Sequence, residues 1–474
     1  MVNKNDKFVR DVHNSALAFD IERITTDDTG VVFWNYRAVI HAGDKDIDLL
    51  KVLKVDELND YVGDYFPRKV LVGLIGKGTL IYDLEPFKDE LEMTVYKSPT
   101  NNKSPVDELI VRYKVMFAED VPNALAAMNS PHLSNAETGD LYDYTEVSFH
   151  VYELSMEHIV NAQVGTVVRA TPPYAVVNTL VPQVLDTLRL TDEEKILGYE
   201  FYPPNNQTPR DVILIPDGTK VMELPDYLQN HEGGIYTTGL GFFIRSRIVH
   251  MWPLYNFRRE EPNDELLQII LAPTAHFSII QNTWFRENNT LCILGTGPIT
   301  PVDDTQDQLA NDGNVVRFMD AGQLGEGFVE TKGNKAVMDR GKLNTEFSMV
   351  DTGKGLNVSS SRVKVTSNSF REVSRVASRA GIKVTLVCRF SDPDQIKPGM
   401  KCELMYDYKG DVRSSQCAIL GVAHSTQMDG KGIVAQNWYT NTVVTIFIDR
   451  NDAAFVDYLK TGGGTSSPDS SKYL

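Results

Sequence analysis

The sequence is short of positive charge. Its 474 residues carry 47 lysines and arginines against 64 aspartates and glutamates, a formal net charge of −17. A surface that wraps DNA releases counterions through clustered lysine and arginine, and this balance argues against such a surface. No stretch approaches the ~20 consecutive apolar residues of a membrane-spanning helix. The polar segment 1–10 also lacks the apolar core of a signal peptide. We therefore expect neither membrane binding by this chain nor export by a signal peptide.

Cysteine is rare and has no metal-binding spacing. The four residues Cys292, Cys388, Cys402 and Cys417 form no CxxC pair, and the nine histidines form no HExxH motif. The sequence also lacks a GxSxG nucleophile motif and a Walker phosphate loop. We expect reduced thiols buried in strands, and we predict no metal and no cofactor.

Two strings resemble functional motifs and have a plainer structural explanation. Gly73, Gly76 and Gly78 would bind a dinucleotide only at a strand-to-helix junction. They lie between two predicted strands, so a hairpin turn is the expectation. Ser361 and Lys364 match SxxK but alternate to opposite faces of a predicted strand, which separates the nucleophile from its base.

Two pairs of neighbouring acids resemble a catalytic site and also have a plainer structural explanation. Asp303-Asp304 and Glu193-Glu194 would act as glycosidase carboxylates only if the fold brought two acids into register. Solvated loops are the simpler interpretation. The sequence therefore predicts no catalytic, cofactor-binding or metal-binding residue, and it predicts that the protein is not an enzyme.

Strand patterns dominate both ends of the chain. They occupy residues 17–50, 69–84 and 89–97, and they return from residue 343 onward. Within 89–97, apolar and polar residues alternate, which gives a strand one buried and one wet face. Ser367-Asn368-Ser369 precedes a helical pattern over 370–380.

The middle of the chain is mixed. Short helices are expected from Ser155, from Pro172-Pro173, over Thr191–Lys195 and from Leu224. Residues 300–330 are rich in Asp, Gly and Gln and suggest a long exposed loop.

The fold class that follows is mainly β with α+β insertions, comprising two tube-forming β-barrel domains and a mixed middle region. The first barrel is expected over residues 1–118, with 141–154 as the candidate segment to complete it. A mixed α+β region follows over 155–330, the second barrel over 331–461, and a flexible tail over 462–474. We expect the two barrels to superpose on one another and not to belong to one continuous sheet.

Several segments carry a family resemblance. The N-terminal strands resemble the first barrel of the baseplate central hub proteins of contractile-tailed bacteriophages (the myovirus tail hub family). The middle run is similar to the inserted region of that family, and the C-terminal run is similar to the closing strands of its second barrel. The segments concerned are Phe19–Arg23, Tyr36–Ile40, Lys51–Asp56 and Leu91–Tyr96, then Pro172-Pro173, Ile213–Thr219, Gly234–Tyr236 and Trp252–Tyr255, and finally Pro398–Leu404 and Gly421–Ser425.

The resemblance implies a non-enzymatic structural protein of the virion tail baseplate, assembled in the host cytoplasm. It implies a homotrimer that adapts a sixfold tail tube to a threefold central spike. Its partners would be the spike protein, tail-tube or tube-initiator proteins and baseplate wedge proteins. DNA would pass through the lumen without specific binding, because an acidic wall repels phosphates. Glu90, Glu92 and Glu403 are candidate lumen residues from alternation, and strands 91–97 and 359–366 are candidate edges for subunit contact.

The alternative is a β-rich carbohydrate-binding or glycan-degrading tail protein. A glycan-degrading enzyme would cluster Asp, Glu and His in a cleft with perturbed pKa values. A binding module would expose an aromatic platform. Trp34, Trp252, Trp284 and Trp438 are too dispersed in the sequence to predict one.

Overall fold

The structure is a computed structural model of the 474-residue chain. It describes residues 17, 21, 24, 34–99, 108–118, 144–231, 234–236, 238–256, 259, 265–272, 283–295, 299–301, 381–389, 393–428, 438–449 and 452–460. It also describes the short strands between residues 315 and 359.

Strands make up most of the described chain, which confirms a mainly β fold with α insertions. Most strands of both ends alternate buried and part-exposed residues, as a sheet with one covered face requires. The strands are β1 (Trp34–Ala42), β2 (Lys45–Asp48), β3 (Lys51–Asp60), β4 (Arg68–Gly76), β5 (Glu92–Pro99), β6 (Leu109–Phe117), β7 (Tyr144–Glu153), β8 (Gln163–Thr171), β9 (Gly198–Phe201), β10 (Arg210–Lys220), β11 (Leu240–Arg245), β12 (Ile248–Pro253), β13 (Leu266–Leu271), β14 (Trp284–Glu287), β15 (Thr290–Gly295), β16 (Ile299–Pro301), β17 (Val315–Phe318), β18 (Val329–Lys332), β19 (Lys335–Met338), β20 (Phe347–Asp351), β21 (Leu356–Ser359), β22 (Gly381–Arg389), β23 (Lys401–Tyr408), β24 (Asp411–Met428) and β25 (Trp438–Asp449).

The helices are short and lie mainly in the middle of the chain. Three begin where the sequence predicts, and the longest takes its proline in the first turn. They are α1 (Ser155–Asn161), α2 (Pro173–Thr187), α3 (Leu224–His231) and α4 (Ala453–Lys460). The predicted helix at Thr191–Lys195 is only a turn, closed by the Glu194 carboxylate, which accepts a hydrogen bond from the Thr191 N–H. Among the described helices, none has the length and apolar character needed to cross a membrane.

The first barrel follows the ring β3-β4-β7-β6-β5-β1-β2, and every pair in it is antiparallel. Between β2 and β3 the chain stays bonded to β1, because the Leu49 N–H donates a hydrogen bond to the Ala38 carbonyl. Its interior holds a continuous apolar cluster that includes Ile40, Leu71 and Phe149. β7 falls in the segment 141–154 and lies between β4 and β6.

The second barrel combines C-terminal and earlier strands. β22, β25, β24 and β23 form an antiparallel run, and β13 then pairs in parallel with both β23 and β15. β15 lies beside β22, and β16, the next strand along the chain, pairs with β22. β13 and β15 come from residues 266–295, inside the predicted middle region. The two barrels therefore differ in strand connectivity, and their superposition stays a prediction.

The two barrels share a seam. The second half of β24 pairs with β25 on one side and with β3 on the other, from Gly421 opposite Asp60 to Gln427 opposite Lys54. Hydrogen bonds therefore run without a break from one barrel into the other. The expectation that no continuous sheet links them is wrong, although each barrel keeps its own apolar core. Because β5 has β1 and β6 as neighbours, the prediction that 91–97 is an edge strand is also wrong.

The middle unit packs α1, α2 and α3 with two small sheets around a third core. One sheet is the ribbon β8–β10, and the other has the order β11-β12-β9. Gln229 fixes the chain after α3, since its side chain accepts from the Ile235 and Tyr236 N–H groups and donates to the Tyr236 carbonyl. This unit places the end of β11 against both barrels.

Two local predictions need correction. The glycine string runs from β4 into a short helical segment, Lys77–Thr79 followed by π-helical Leu80–Leu84, and not through a hairpin turn. Ile21 and Ile24 are helical instead of extended. They pack with Leu17 on the outer face of β13 and β15, beside Ile270 and Leu294. Residues 360–380, Asp303-Asp304, the 302–314 part of the predicted loop and the 462–474 tail lie outside the described residues.

Candidate functional site

A cavity of about 830 Å³ lies where the first barrel, the second barrel and the middle unit meet. Its size is typical of ligand pockets. One part of its wall is apolar and partly exposed, with Ile110 at 60% and Leu197 at 63% exposure. Another part is a cluster of charged side chains from all three units. We call the latter the junction cluster, and its members are Glu57, Lys69, Lys97, Arg245, Asp394 and His424.

The neighbouring strands β24, β3 and β4 supply three members of the junction cluster. In the sheet register, His424 on β24 lies opposite Glu57 on β3, and Glu57 lies near Lys69 on β4. Neighbours of this kind project to the same face. The Glu57 carboxylate is 3.0 Å from the Lys69 ammonium and 3.9 Å from His424 Nε2. With 5% and 7% of their side chains exposed, Glu57 and His424 lie inside the protein.

The middle unit supplies Arg245, the last residue of β11. Its guanidinium is 3.2 Å from the Asp394 carboxylate and 3.7 Å from that of Glu57. It also donates a hydrogen bond to the Ile396 carbonyl. Asp394 accepts a second charged contact from Lys97 on β5. One arginine therefore connects the middle unit to carboxylates of both barrels.

The positive charges keep the carboxylates ionised. Burial alone would raise the pKa of Glu57, but Lys69 and the other positive groups hold that pKa well below its ordinary value. Asp394 shows the same balance, with Lys97 and Arg245 outweighing burial and lowering its pKa. Burial lowers the pKa of His424, so its ring is neutral at pH 7. The two carboxyl groups and the His424 ring are therefore not acids that could donate a proton in catalysis near neutral pH.

Glu153, at the end of β7, behaves differently. Burial raises its pKa, although the Ser246 N–H donates a hydrogen bond to its carboxylate at 3.0 Å. Tyr113 lies opposite Glu153 in the sheet register and accepts a hydrogen bond from Lys69 at 3.3 Å. The carboxylates of Glu57, Asp394 and Glu153 are thus each bound to a neighbouring protein group. The cluster therefore serves as an ionic contact between the three units.

The described residues contain no group of three or more His, Cys, Asp or Glu side chains that could hold a metal ion. All four cysteines lie buried in strands, as predicted. The candidate lumen acids do not come together. Glu90 is exposed before β5, Glu92 pairs with Arg112 at 2.6 Å, and Glu403 lies in the other barrel beside Gln268.

Sequence reasoning missed the junction cluster. A signal was present, because Glu57 lies two residues after the buried Val55 and Lys69 lies two residues before the buried Leu71. A charge on the apolar face of a strand indicates a buried ion pair. The partner Arg245 comes from a distant part of the chain, and only the tertiary fold identifies it.

The cluster predicts a pH dependence. We expect the difference in free energy of unfolding between the wild type and Glu57→Gln to shrink as the pH falls below about 4.5. A carboxylate whose folded-state pKa is depressed contributes stability above its unfolded-state pKa, and the contribution is lost as the pH falls toward the folded-state value. Urea unfolding of both proteins between neutral and acidic pH measures this difference. A difference that stays constant over that range would contradict the assignment.

No protein-family model matches the sequence, and no curated protein was found to match it. Among solved structures, the chain is similar to a 43 kDa tail protein of prophage MuSo2 from Shewanella oneidensis, with 10% identity and a TM-score of 0.41 over 87% of this chain and 96% of the other. It is also similar to an E. coli type VI secretion component, described as structurally similar to T4 bacteriophage tail proteins, with 8% identity, a TM-score of 0.37 and coverage of 85% and 76%.

A third similar structure is a PdpA-VgrG complex, with 8% identity and a TM-score of 0.36 over 90% of this chain and 66% of the other. Phage tail proteins figure in two of the three descriptions.

Proposed function

We propose that this protein is a structural subunit of a contractile phage tail, the baseplate hub. Three copies form a symmetry adapter between a sixfold tail tube and a threefold central spike. Tube or tube-initiator proteins bind one side, the spike protein binds the other, and wedge proteins bind the periphery. The hub is a component of the virion tail and assembles in the host cytoplasm.

The observation that supports the proposal is the seam between β24 and β3. It fixes two β-barrels side by side in one chain, each with its own core. Three such chains in a ring present six barrels, and a threefold object meets a sixfold ring without mismatch only if each subunit offers two comparable surfaces. A rigid, hydrogen-bonded seam keeps the spacing of the two surfaces constant.

The charge of the chain suits a channel. At a net charge of −17 per chain, a ring of three copies repels phosphate, so DNA passes without binding. Glu90, Glu92 and Glu403 remain the candidates for the lumen wall.

The test is the mass and shape of the purified full-length protein. We predict a native mass three times the chain mass of 53.1 kDa, and particles with six barrel-sized densities in a ring. Charge reversal at Glu90 and Glu403 is expected to leave the mass unchanged, because lumen residues do not hold the subunits together. A protein that stays monomeric at high concentration would exclude the adapter.

One observation favours the glycan-degrading alternative. Two carboxyl groups with opposite pKa shifts line the same cavity: Glu57, whose pKa is lowered, and Glu153, whose pKa is raised. A glycosidase needs one ionised and one protonated carboxyl. Against it, Glu57 is occupied by Lys69 and by Asn59, whose amide donates at 3.0 Å. Polysaccharide cleavage by the wild type that Glu153→Gln abolishes would establish the alternative. The binding-module version needs an aromatic platform, yet Trp252 and Trp438 are buried in different cores.

A further inference from the structure

Two cysteines of the second barrel face each other across neighbouring strands. Cys402 on β23 lies directly opposite Cys417 on β24 in antiparallel register. Both side chains are buried, with 3% and 1% of the residue exposed. Side chains in directly opposite positions have Cβ atoms about 4.5–5.5 Å apart. A disulfide needs about 3.5–4.5 Å, so a small approach of the strands is enough.

In the sheet register, the other two cysteines lie opposite residues of other types. Cys388 on β22 lies opposite Thr442 of β25, and Cys292 on β15 lies opposite Phe285 and bonds to Gln268. The register thus selects one pair out of the six that four cysteines allow.

We propose that Cys402 and Cys417 are an oxidation site that forms a cross-strand disulfide between β23 and β24 when the protein meets a low-molecular-weight disulfide such as oxidised glutathione. One thiolate attacks the oxidant and releases one small thiol. The second thiolate then displaces the other small thiol and closes the Sγ–Sγ bond. The protein loses two hydrogens and two electrons, and the oxidant is reduced to two thiols.

The disulfide would link β23 covalently to β24, the strand that pairs with β3 at the seam. β24 continues from Cys417 into residues 421–427, which pair with β3 of the first barrel. The reaction in the folded protein is slow, because burial raises the pKa of the Cys402 thiol and only the thiolate attacks. The site thus stays reduced through folding in a reducing compartment and closes on long exposure to an oxidising one. The inference does not depend on the proposed function.

The experiment incubates the folded full-length protein with oxidised glutathione at mildly alkaline pH, then unfolds it in acid and alkylates the remaining thiols. We expect two alkylated cysteines where the untreated protein has four. Trypsin, which cleaves after Lys401, Lys409, Arg413 and Lys431, is expected to yield peptide 402–409 joined to peptide 414–431. Reduction is expected to separate the two peptides.

Two variants complete the test. Cys417→Ala is expected to keep all three remaining thiols alkylated, whereas the matched Cys292→Ala retains the linked peptides. Peptide mapping of the wild type decides the question even if Cys417→Ala does not fold. Four alkylated thiols in the folded wild type, under conditions that oxidise the urea-unfolded chain, would overturn the proposal. A link from Cys388 to Cys402 would also overturn it.

Discussion

Replacing Glu57 with glutamine is expected to lower the free energy of unfolding at pH 7 by about 3–5 kcal/mol. The substitution keeps the shape of the side chain and the bond to Asn59, and it removes only the charge. Lys69 and Arg245 then face a buried neutral group, and the desolvation of their charges is no longer offset. Urea unfolding followed by tryptophan fluorescence measures the change.

The matched control is Asp48→Asn. Asp48 pairs with Arg37 at 3.0 Å, but both side chains are 65% exposed, so this pair contributes at most about 1 kcal/mol. Equal effects of Glu57→Gln and Asp48→Asn would show that burial does not strengthen the junction cluster. Loss of a single unfolding transition in Glu57→Gln alone would fit its role, because the cluster is where three units meet.

Local patterns predicted much of the fold. Alternation located most strands of both barrels, and the Ser155 and Pro172-Pro173 signals located α1 and α2. These features depend on neighbours within a few residues. The same reasoning failed at Ile21 and Ile24, whose apolar spacing suits a strand and also a short helix lying on β13 and β15.

Long-range pairing was beyond local reasoning. Nothing in residues 266–295 signals that β13 and β15 will pair in parallel beside β23, since a parallel strand and a buried helix segment share the same apolar run. The seam was equally hidden. β24 is 18 residues long, and its second half serves two neighbours at once, which no periodicity in its own sequence reveals.

The candidate site shows the same limit more strongly. The junction cluster takes Glu57 and Lys69 from the first barrel, Arg245 from the middle unit and Asp394 from the second barrel. The strand patterns around Glu57 and Lys69 indicate that each charge is buried, but they do not identify the partners. Their chemistry arises from proximity, because a buried carboxylate remains ionised only when cations stand beside it.

The seam itself gives the last prediction, at Gly421. A Cβ atom at this position would be 2.9 Å from the backbone carbonyl oxygen of Asn59 on β3, too close for any side chain without movement of a strand. Gly421 also follows the register shift after Ile419, where β24 passes from one barrel to the other. We expect Gly421→Val to cost about 1–3 kcal/mol of stability through this overpacking.

The loss should be local to the seam. Hydrogen exchange is expected to accelerate at residues 54–60 and 421–427, while strands inside each barrel keep their protection. Gly198→Val is the matched control, because a Cβ at Gly198 in β9 meets no atom within 4 Å. If the hub proposal is right, Gly421→Val also weakens assembly into the six-barrel ring, since the spacing of the two barrels is no longer fixed. Unchanged exchange at 54–60 in Gly421→Val would mean that the β24–β3 pairing does not hold the barrels together.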